Sequence, residues 1–273
     1  MTAVYIVLAL LFAFCLVYVL LLRCRCDKTK WVGLLGWRYA HRGLHDKPTV
    51  PENSLAAFRA AIAAGYGAEL DVHLLSDGTL AVFHDHTLKR CAGVDGEIEA
   101  LTKDELSKLR LEGTDEHIPT FDEVLALFEG KAPLVIELKN AKGNSMALAK
   151  AVCERLDAYK GAFCIETFDP MTLLCVKKLR PDFCRGQLSM NFFRASETGR
   201  PLRWYERFAA TNLLANVVTC PDFIAYCHTD RSNLSFRICR RIWGAKPFLW
   251  TVHGEALSKE YEKNGYSVIF EMK

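Results

Sequence analysis

Residues 69–84 read ELDVHLLSDGTLAVFH, and this stretch decides how the chain is expected to fold. Two apolar runs, residues 68–74 and 80–84, flank Asp77-Gly78, and Asp-Gly between such runs is a strong signal for a two-residue β-hairpin. A parallel neighbour would need a crossover of about a dozen residues, for which there is no room. The second run is therefore expected to return antiparallel beside the first.

Strand-like apolar runs continue along the chain, and helix-like runs separate most of them. This alternation is typical of βαβ units and a parallel sheet. Once residues 80–84 are set aside as the antiparallel strand, eight strands remain, and we predict an α/β fold, a (β/α)8 TIM barrel, for which about 250 residues are typical. The predicted strands are residues 37–41, 68–74, 80–84, 134–138, 163–168, 183–188, 217–226, 248–252 and 267–270.

Helix signals fall between these strands. Ser54 or Asn53 is a good N-cap for a helix that stops at Gly65, and Thr120 with Glu123 has the spacing of a capping box. Residues 87–119 hold no expected barrel strand, so we predict a small insertion there, above the barrel, with one short helix near residues 103–109. The other predicted helices are residues 145–159, 170–179, 202–214 and 255–263.

An uncharged apolar segment, residues 2–22, is long enough to cross a bilayer core, which takes about 20 residues of helix. A cleaved signal peptide is the alternative, but the segment has no basic region before it and no small-residue cleavage site after it. We therefore expect one uncleaved transmembrane helix. Residues 1–30 are interpreted as the anchor and a basic linker, and residues 31–273 as one barrel domain.

Charge and cysteine content bear on location and partners. Basic residues follow the apolar segment and none precedes it, which by the positive-inside rule places the rest of the chain in the cytoplasm. Eleven cysteines without paired spacing fit a reducing compartment, and Cys24 and Cys26 are either acylated or plain thiols. A net charge of +3 argues against nucleic acid as a partner. The flanking basic residues are Arg23, Arg25, Lys28 and Lys30.

The expected hairpin also makes a prediction about side chains. If Asp77-Gly78 is the whole loop, Asp71 lies opposite His84 and Glu69 lies opposite His86. Glu69 and Asp71 share a strand face, and directly opposed residues share it too. Two carboxylates and His84 are therefore expected on one patch, although a one-residue slip would turn one strand's set to the other side.

A third acid, Glu137, stands near the carboxyl end of the next parallel strand, where barrel active sites are built. Taken singly, each acid reads as a salt bridge or a solvated strand end. Taken together, three buried carboxylates without partners are costly, so Glu69, Asp71 and Glu137 indicate a bound cation. Oxygen ligands alone favour a hard ion, Mg²⁺ or Ca²⁺.

The first predicted strand ends in His41-Arg42-Gly43, and Pro51-Glu52-Asn53-Ser54 follows shortly after it. His41 is a candidate acid or base because the ordinary pKa of histidine lies near neutrality. The planar guanidinium of Arg42 offers a fork of donors that suits phosphate. The tripeptide alone is weak evidence for a catalytic site. Its position at a strand end makes this evidence stronger.

In these residues the chain resembles the glycerophosphodiester phosphodiesterase family. The matching motifs occur in the family's order and cover nearly all of residues 38–270. They are His41-Arg42-Gly43, Pro51-Glu52-Asn53-Ser54, Glu69-Leu70-Asp71-Val72, Ser76-Asp77-Gly78, His84-Asp85, Ile118-Pro119-Thr120, Glu137-Leu138-Lys139 and Trp250-Thr251-Val252.

The resemblance implies a barrel with an insertion after His84-Asp85, a divalent ion, and hydrolysis of glycerophosphodiesters to glycerol 3-phosphate and an alcohol. It assigns acid–base catalysis to His41 and His84, phosphate contacts to Arg42 and Lys139, and metal ligation to Glu69, Asp71 and Glu137. Residues expected to shape the site are Glu52, Asn53, His73 and Trp250, the first two also as possible metal ligands. The chain departs from the family's usual residues at His253 and in the strand Ile165-Glu166-Thr167-Phe168, where members often carry a Ser-Phe pair. Both positions are expected to face the site, which bears on substrate identity.

Three functions stay open at this point. The first is a phosphodiesterase that acts on deacylated phospholipids near the cytoplasmic membrane face. The second cleaves lysophospholipids or polyglycerol phosphate, and a cavity lined by Phe192, Phe193 and Trp204 would favour it. The third is a non-catalytic barrel that only binds a ligand. The presence of a suitable residue at every expected catalytic position counts against this function. The aromatic stretch 204–208 and the basic stretch 231–246 face either lipid or solvent.

Overall fold

The computed structural model describes residues 1–25, 27–141, 143–194 and 202–272. Cys26, one of the two cysteines considered for acylation, lies outside the described residues. The strands are β1 (Tyr39–Ala40), β2 (Gly67–Leu74), β3 (Leu80–Val82), β4 (Leu134–Leu138), β5 (Phe163–Thr167), β6 (Arg185–Ser189), β7 (Phe223–Cys227), β8 (Lys246–His253) and β9 (Ser267–Glu271). The helices are α1 (Thr2–Leu21), α2 (Leu55–Ala63), α3 (Lys89–Ala92), α4 (Lys103–Leu106), α5 (Phe121–Phe128), α6 (Ser145–Leu156), α7 (Pro170–Leu179), α8 (Trp204–Thr211), α9 (Asn216–Thr219), α10 (Leu234–Arg241) and α11 (Glu255–Lys263).

Eight parallel strands close into a barrel, which confirms the predicted fold class. β1 pairs with both β2 and β9, and the sheet continues from β9 through β8, β7, β6, β5 and β4 back to β2. Side chains alternate along each strand, so one set fills the barrel and the other set packs under the helices. The set inside the barrel, with Trp31 and Leu34 closing its amino-terminal end, includes Tyr39, Val135, Cys164, Phe223, Ala225, Phe248 and Ile269.

The ninth strand, β3, pairs antiparallel with β2, as the hairpin signal predicted. The predicted register is wrong by one residue, because Leu74 pairs with Leu80. The loop has three residues, 76–78, and the Leu75 amide donates to the Thr79 carbonyl at 2.8 Å. Gly78 adopts φ 86°, and a glycine in this left-handed conformation is typical of the three-residue hairpin, which an Asp-Gly pair suits as well.

The corrected register changes how His84 reaches the barrel mouth. Phe83, and not His84, lies beside Asp71, and its amide donates to the Asp71 carbonyl at 3.0 Å. β3 ends at Val82, so His84 stands beyond the paired residues and the strand alternation does not direct its side chain. Residues 87–119 hold α3, α4 and a buried apolar cluster, and they contribute no barrel strand.

One predicted strand is wrong in its first half. Residues 217–226 were expected to be extended, but the chain forms α9 over Asn216–Thr219, and β7 begins only at Phe223. The β-branched pair Val217 and Val218 favours a strand locally, yet both side chains are exposed on α9. Pro221 then precedes the strand, and the chain turns into the barrel there.

α1 is long and apolar enough to cross a membrane, with a mean hydropathy of 3.0, and none of its residues is buried. The residues just after α1, expected to form a linker, pack against the barrel instead. Leu22 and Cys24 are buried in the outer core. Arg25 makes two 2.6 Å contacts with Asp222, whose side chain is fully buried before β7.

The pairing of Arg25 with Asp222 predicts a stability effect. Replacing Arg25→Ala leaves a buried carboxylate without its cation, which typically costs about 3 kcal/mol. We expect the melting temperature of the full chain in detergent to fall by roughly 6 to 12 °C, since each kcal/mol shifts a domain of this size by about 2–4 °C. Arg23→Ala, which removes an exposed arginine two residues earlier, is the control and should have little effect. Equal losses from both substitutions would contradict this account.

Candidate active site

Three carboxylates meet inside the barrel at its carboxyl end. Glu69 and Asp71 point inward from β2, and β4 places Glu137 directly beside Asp71. All three residues are buried, and one oxygen of each lies within 4.8 Å of the others. The alternation of strand side chains explains this placement, because residues 69 and 71 share a face and parallel pairing continues it onto β4. The structure thus brings together the three acids that the sequence analysis grouped as metal ligands.

A fourth buried carboxylate, Glu166, adjoins the cluster, and the sequence interpretation named it only in a departure from the family, not as a member of the acid cluster. β5 pairs with β4 in a register that sets Glu166 beside Glu137. One of its oxygens is buried without a hydrogen-bond partner. Its signal in the sequence was an acid at the end of an apolar strand, the same signal that identified Glu137.

Two cations, Lys139 and Arg42, offset part of the negative charge of these carboxylates. The Lys139 ammonium lies 3.0 Å from Asp71 and 2.8 Å from Glu137. Burial acts against ionisation of Asp71, but Lys139, His84 and Arg42 hold its pKa well below the usual range. Burial and the neighbouring acids raise the pKa of Glu69 and Glu166 well above theirs. The cluster therefore contains more carboxyl groups than the cationic side chains beside it can balance.

The turn after β1 places His41 and Arg42 over the cluster. Gly43 has φ 80°, and a Cβ there would lie 2.8 Å from the Ala57 Cβ, so only glycine fits. Arg42 also has a positive φ of 54°, and its amide donates to Glu69 at 3.0 Å. Its guanidinium contacts Glu52 at 2.7 Å and approaches Asp71 at 3.5 Å. Both residues lie where the sequence predicted them.

The carboxylate of Glu271 fixes the orientation of the His41 ring. Its Nδ1 lies 2.6 Å from Glu271 at the end of β9, and its Nε2 lies 3.9 Å from Glu69. Burial lowers the pKa of His41 to about 4, although Glu271 acts in the opposite direction. Glu271 is a second residue that the sequence interpretation missed. It too is an inward-facing acid at a strand's carboxyl end, beside β1.

His84 has a similar partner, Asp85, with 2.6 Å between His84 Nδ1 and the carboxylate. Asp85 also accepts from Arg90 of the insertion at 2.6 Å, and Arg90 reaches Glu52 at 2.7 Å. Glu52 in turn holds Arg42. Burial lowers the pKa of His84, although Asp71 and Asp85 act in the opposite direction. The insertion thus connects His84 to Arg42 through one chain of ion pairs.

The remaining predicted residues lie around the cluster in different ways. Glu52 stands apart from the three grouped carboxylates and binds Arg42, Arg90 and Lys47. Asn53 donates to Asp71 at 2.8 Å, and its Oδ1 is buried without a hydrogen-bond partner. His73 does not line the cavity. It contacts Glu99 at 2.7 Å and the His84 carbonyl at 3.3 Å, and so supports His84 from below.

These groups line a cavity of about 80 Å³. Trp250 forms one wall and packs edge-on against Phe168, with ring centroids 5.5 Å apart. Phe192 touches Phe168 from outside, while Phe193 and Trp204 are exposed and do not line the cavity. The lining residues are His41, Arg42, Glu69, His84, Glu137, Lys139, Glu166, Phe168, Leu188, Trp250, Thr251 and Ile269.

The chain is similar to known phosphodiesterases. A glycerophosphodiester phosphodiesterase of Caldanaerobacter subterraneus subsp. tengcongensis is 37% identical over 161 residues, which are 55% of this chain and 65% of that protein. A lysophospholipase D of Rattus norvegicus is 35% identical over 122 residues, which are 40% of this chain and 38% of the rat protein. The matches to the Caldanaerobacter protein and to a glycerophosphodiester phosphodiesterase of Bacillus altitudinis span just under two thirds of those relatives, 65% and 66%.

Solved structures show the same barrel. A phosphodiesterase of Oleispira antarctica in complex with its product sn-glycerol-3-phosphate superposes with a TM-score of 0.70 at 24% identity, covering 88% of this chain and 94% of that chain. A glycerophosphodiester phosphodiesterase of Thermotoga maritima superposes with a TM-score of 0.65 at 27% identity, covering 85% and 92%. The glycerophosphoryl diester phosphodiesterase family model matches residues 41–270, which contain every residue assigned above to catalysis, phosphate binding or metal ligation. The chain therefore belongs to the glycerophosphoryl diester phosphodiesterase family.

Proposed function

We propose that the protein hydrolyses glycerophosphodiesters to glycerol 3-phosphate and an alcohol, with a divalent ion and two histidines. The carboxylate cluster of Glu69, Asp71 and Glu137, beside Arg42 and Lys139, is the observation that carries the proposal. Anionic and cationic groups face one cavity, as a metal-assisted reaction on a phosphate ester requires. Membership of the family supports the same reaction class.

The donor set fits a hard divalent cation. Three carboxylates supply oxygens within 4.8 Å of one another, and the unpaired Asn53 Oδ1 lies beside them through its amide contact with Asp71. Oxygen ligands of this kind suit Mg²⁺ or Ca²⁺. Burial raises the pKa of Glu137 to about 7, as expected for a carboxylate that needs a nearby positive charge to ionise. A bound ion would offset the charge of the phosphodiester and stabilise the negative charge that develops in the transition state.

The protein's own residues orient the substrate and move the protons. Arg42 and Lys139 present cationic donors to the phosphate from the cavity wall. Glu271 and Asp85 each face the Nδ1 atom of a histidine, which leaves Nε2 of His41 and of His84 for proton transfer. One histidine takes a proton from the attacking group, either water or a glycerol hydroxyl of the substrate. The other histidine protonates the leaving oxygen.

The proposal extends to where the protein works. α1 acts as a single-pass anchor through residues 2–22, and the positive-inside rule puts the barrel on the cytoplasmic side. Residues 1–30 and 31–273 remain our division into anchor with linker and catalytic domain, although residues 22–25 already contact the barrel. The substrates would be products of phospholipid deacylation close to the membrane.

The direct test is substrate turnover by the full chain in detergent. We expect release of glycerol 3-phosphate from glycerophosphocholine and glycerophosphoethanolamine with Mg²⁺ or Ca²⁺, and loss of activity with EDTA. Turnover of a lysophospholipid alone would replace the proposed substrate with a lipid, in line with the activity named for the rat relative. No turnover of either substrate with either ion would leave a binding function.

The two histidines give a second prediction. His41→Ala and His84→Ala should each lower kcat by about 10²- to 10⁴-fold, because each removes one proton-transfer group. His117→Ala is a matched control, since His117 also contacts a carboxylate, Glu123 at 3.0 Å, but lies on the surface. Steady-state kinetics on glycerophosphocholine measure all three variants. Unchanged kcat in either cavity variant would show that the acid–base assignment is wrong.

The metal site can be tested without any measurement of activity. Glu137→Gln keeps the size of the side chain but removes a charge from the cluster, so we expect affinity for Mg²⁺ or Ca²⁺ to fall by about tenfold or more. Isothermal titration calorimetry on the full chain measures this affinity. Glu154→Gln, an exposed glutamate on α6, serves as the control and should bind as the wild type does. Equal affinities in the wild type and Glu137→Gln would contradict ligation by Glu137.

A further inference from the structure

We propose that the mouth of the barrel faces the bilayer and that an apolar rim around one side of it docks on the lipid surface. This inference rests on the proposed role of α1 as a membrane anchor, and it adds an orientation that the anchor alone does not supply. Three features carry it: the direction of α1 along the barrel, the exposed side chains at the mouth, and the charges among them.

The direction of α1 follows from its contacts with α10. The Tyr18 hydroxyl lies 2.7 Å from Ser235 Oγ, and the Leu22 carbonyl accepts from Cys239 Sγ at 3.5 Å. Residues 18 and 22 are one turn apart on the incoming chain, and residues 235 and 239 are one turn apart on α10. Two successive contacts in the same order mean that the end of α1 runs beside α10 in the same direction.

α10 begins at the mouth of the barrel. It follows β7, and parallel barrel strands end at the face where the carboxylate cluster lies. Leu234 therefore stands at the mouth, and Arg241 points toward the opposite end. The part of α1 before Tyr18 must then continue past the first turn of α10, beyond the mouth. Sixteen residues, 2–17, extend about 24 Å in that direction at 1.5 Å per residue.

This length determines where the lipid surface lies relative to the barrel. A bilayer core is about 30 Å thick, so residues 2–17 nearly span it and the lipid surface falls close to Tyr18. Tilt or local thinning of the bilayer absorbs a mismatch of a few ångströms at modest cost. Tyr18, whose hydroxyl contacts the first turn of α10, is a residue type that prefers the interface. The start of α10 thus lies at headgroup depth.

Exposed apolar side chains lie on the segments that follow β6 and β7, and we call them the rim: Phe193, Trp204, Tyr205, Phe208 and Leu234. Trp204 is 74% exposed and Leu234 is 61% exposed, which is costly in water without a covering surface. The loop after β6 and the end of α8 lie at the strand ends, because Ser189 Oγ donates to the Ala210 carbonyl at 2.7 Å. Aromatic residues of this kind are enriched at membrane interfaces.

The charges near the rim suit an anionic lipid surface. Arg194 and Arg203 are exposed there, with the Arg194 guanidinium 3.8 Å from Asp230, and Arg231 lies on the turn before α10. The acids in the same region are engaged locally, since Glu206 accepts from the Arg203 amide at 2.8 Å and Asp230 from the Asn191 amide at 2.9 Å. Basic residues beside exposed aromatic ones are typical of surfaces that bind phospholipid headgroups. The cavity consequently opens toward the layer in which phosphodiester headgroups lie.

Photocrosslinking of the full chain in vesicles of phosphatidylcholine and phosphatidylglycerol tests the orientation. One variant carries p-benzoyl-phenylalanine in place of Trp204. The control carries it in place of Val32, which is 81% exposed beside the residues that close the opposite end of the barrel. After irradiation, mass spectrometry should find lipid adducts at position 204 at about tenfold the yield at position 32, because the group reacts only with what it touches.

Similar or reversed yields would overturn the orientation, and adducts to a second copy of the chain would make the rim a protein interface instead. Carbonate extraction of the same vesicles separates two causes of failure. A chain that is extracted lacks the proposed anchor, whereas a chain that resists extraction but gives no adduct at 204 is anchored in a different orientation. Turnover of glycerophosphocholine in these vesicles tests the enzymatic proposal independently, since neither residue lines the cavity.

Discussion

The mutual repulsion of buried carboxylates on the inner face of the barrel is the constraint around which this structure is organised. Glu69, Asp71, Glu137 and Glu166 stand side by side on three neighbouring strands, and burial makes their ionisation costly. Arg42 and Lys139 reach into the cluster and balance part of the charge. The deficit that remains supports the proposed divalent cation, which a phosphodiester anion would in turn need beside these acids.

A second layer of ion pairs holds the groups that face the cluster. Glu271 orients His41, and Asp85 orients His84, so each imidazole has one nitrogen occupied and the other directed to the cavity side. Arg90 joins Asp85 to Glu52, and through Glu52 to Arg42. The insertion between β3 and α5 is therefore part of the site's support, because without its arginine the two sides of the mouth would lose their connection.

The proposed anchor, α1, is joined to the same framework. Arg25 and buried Leu22 fasten the chain after α1 to the outside of the barrel, and contacts one turn apart align α1 with α10. A flexible linker would let the barrel adopt any orientation at a membrane, whereas this packed connection favours one. In the proposed orientation the apolar rim and the cavity mouth share a side, and the proposed reaction would take place close to the lipids from which glycerophosphodiesters derive.

Local patterns in the sequence determined the strands, the antiparallel excursion of β3, the apolar helix and the three clustered acids, because each follows from alternation along a strand or from residues only a few positions apart. The hairpin register was predicted wrongly, because Asp-Gly suits two loops of different length. α9 was also missed, because Val217 and Val218 favour extended backbone locally. Glu166 and Glu271 gain their roles only from neighbours distant in the chain, at separations such as 230 residues between His41 and Glu271. Arg90 joins Asp85, five residues away, to Glu52, which is 38 residues away. Barrel closure and the docking of α1 bring such residues together, and no short-range pattern encodes contacts of that range.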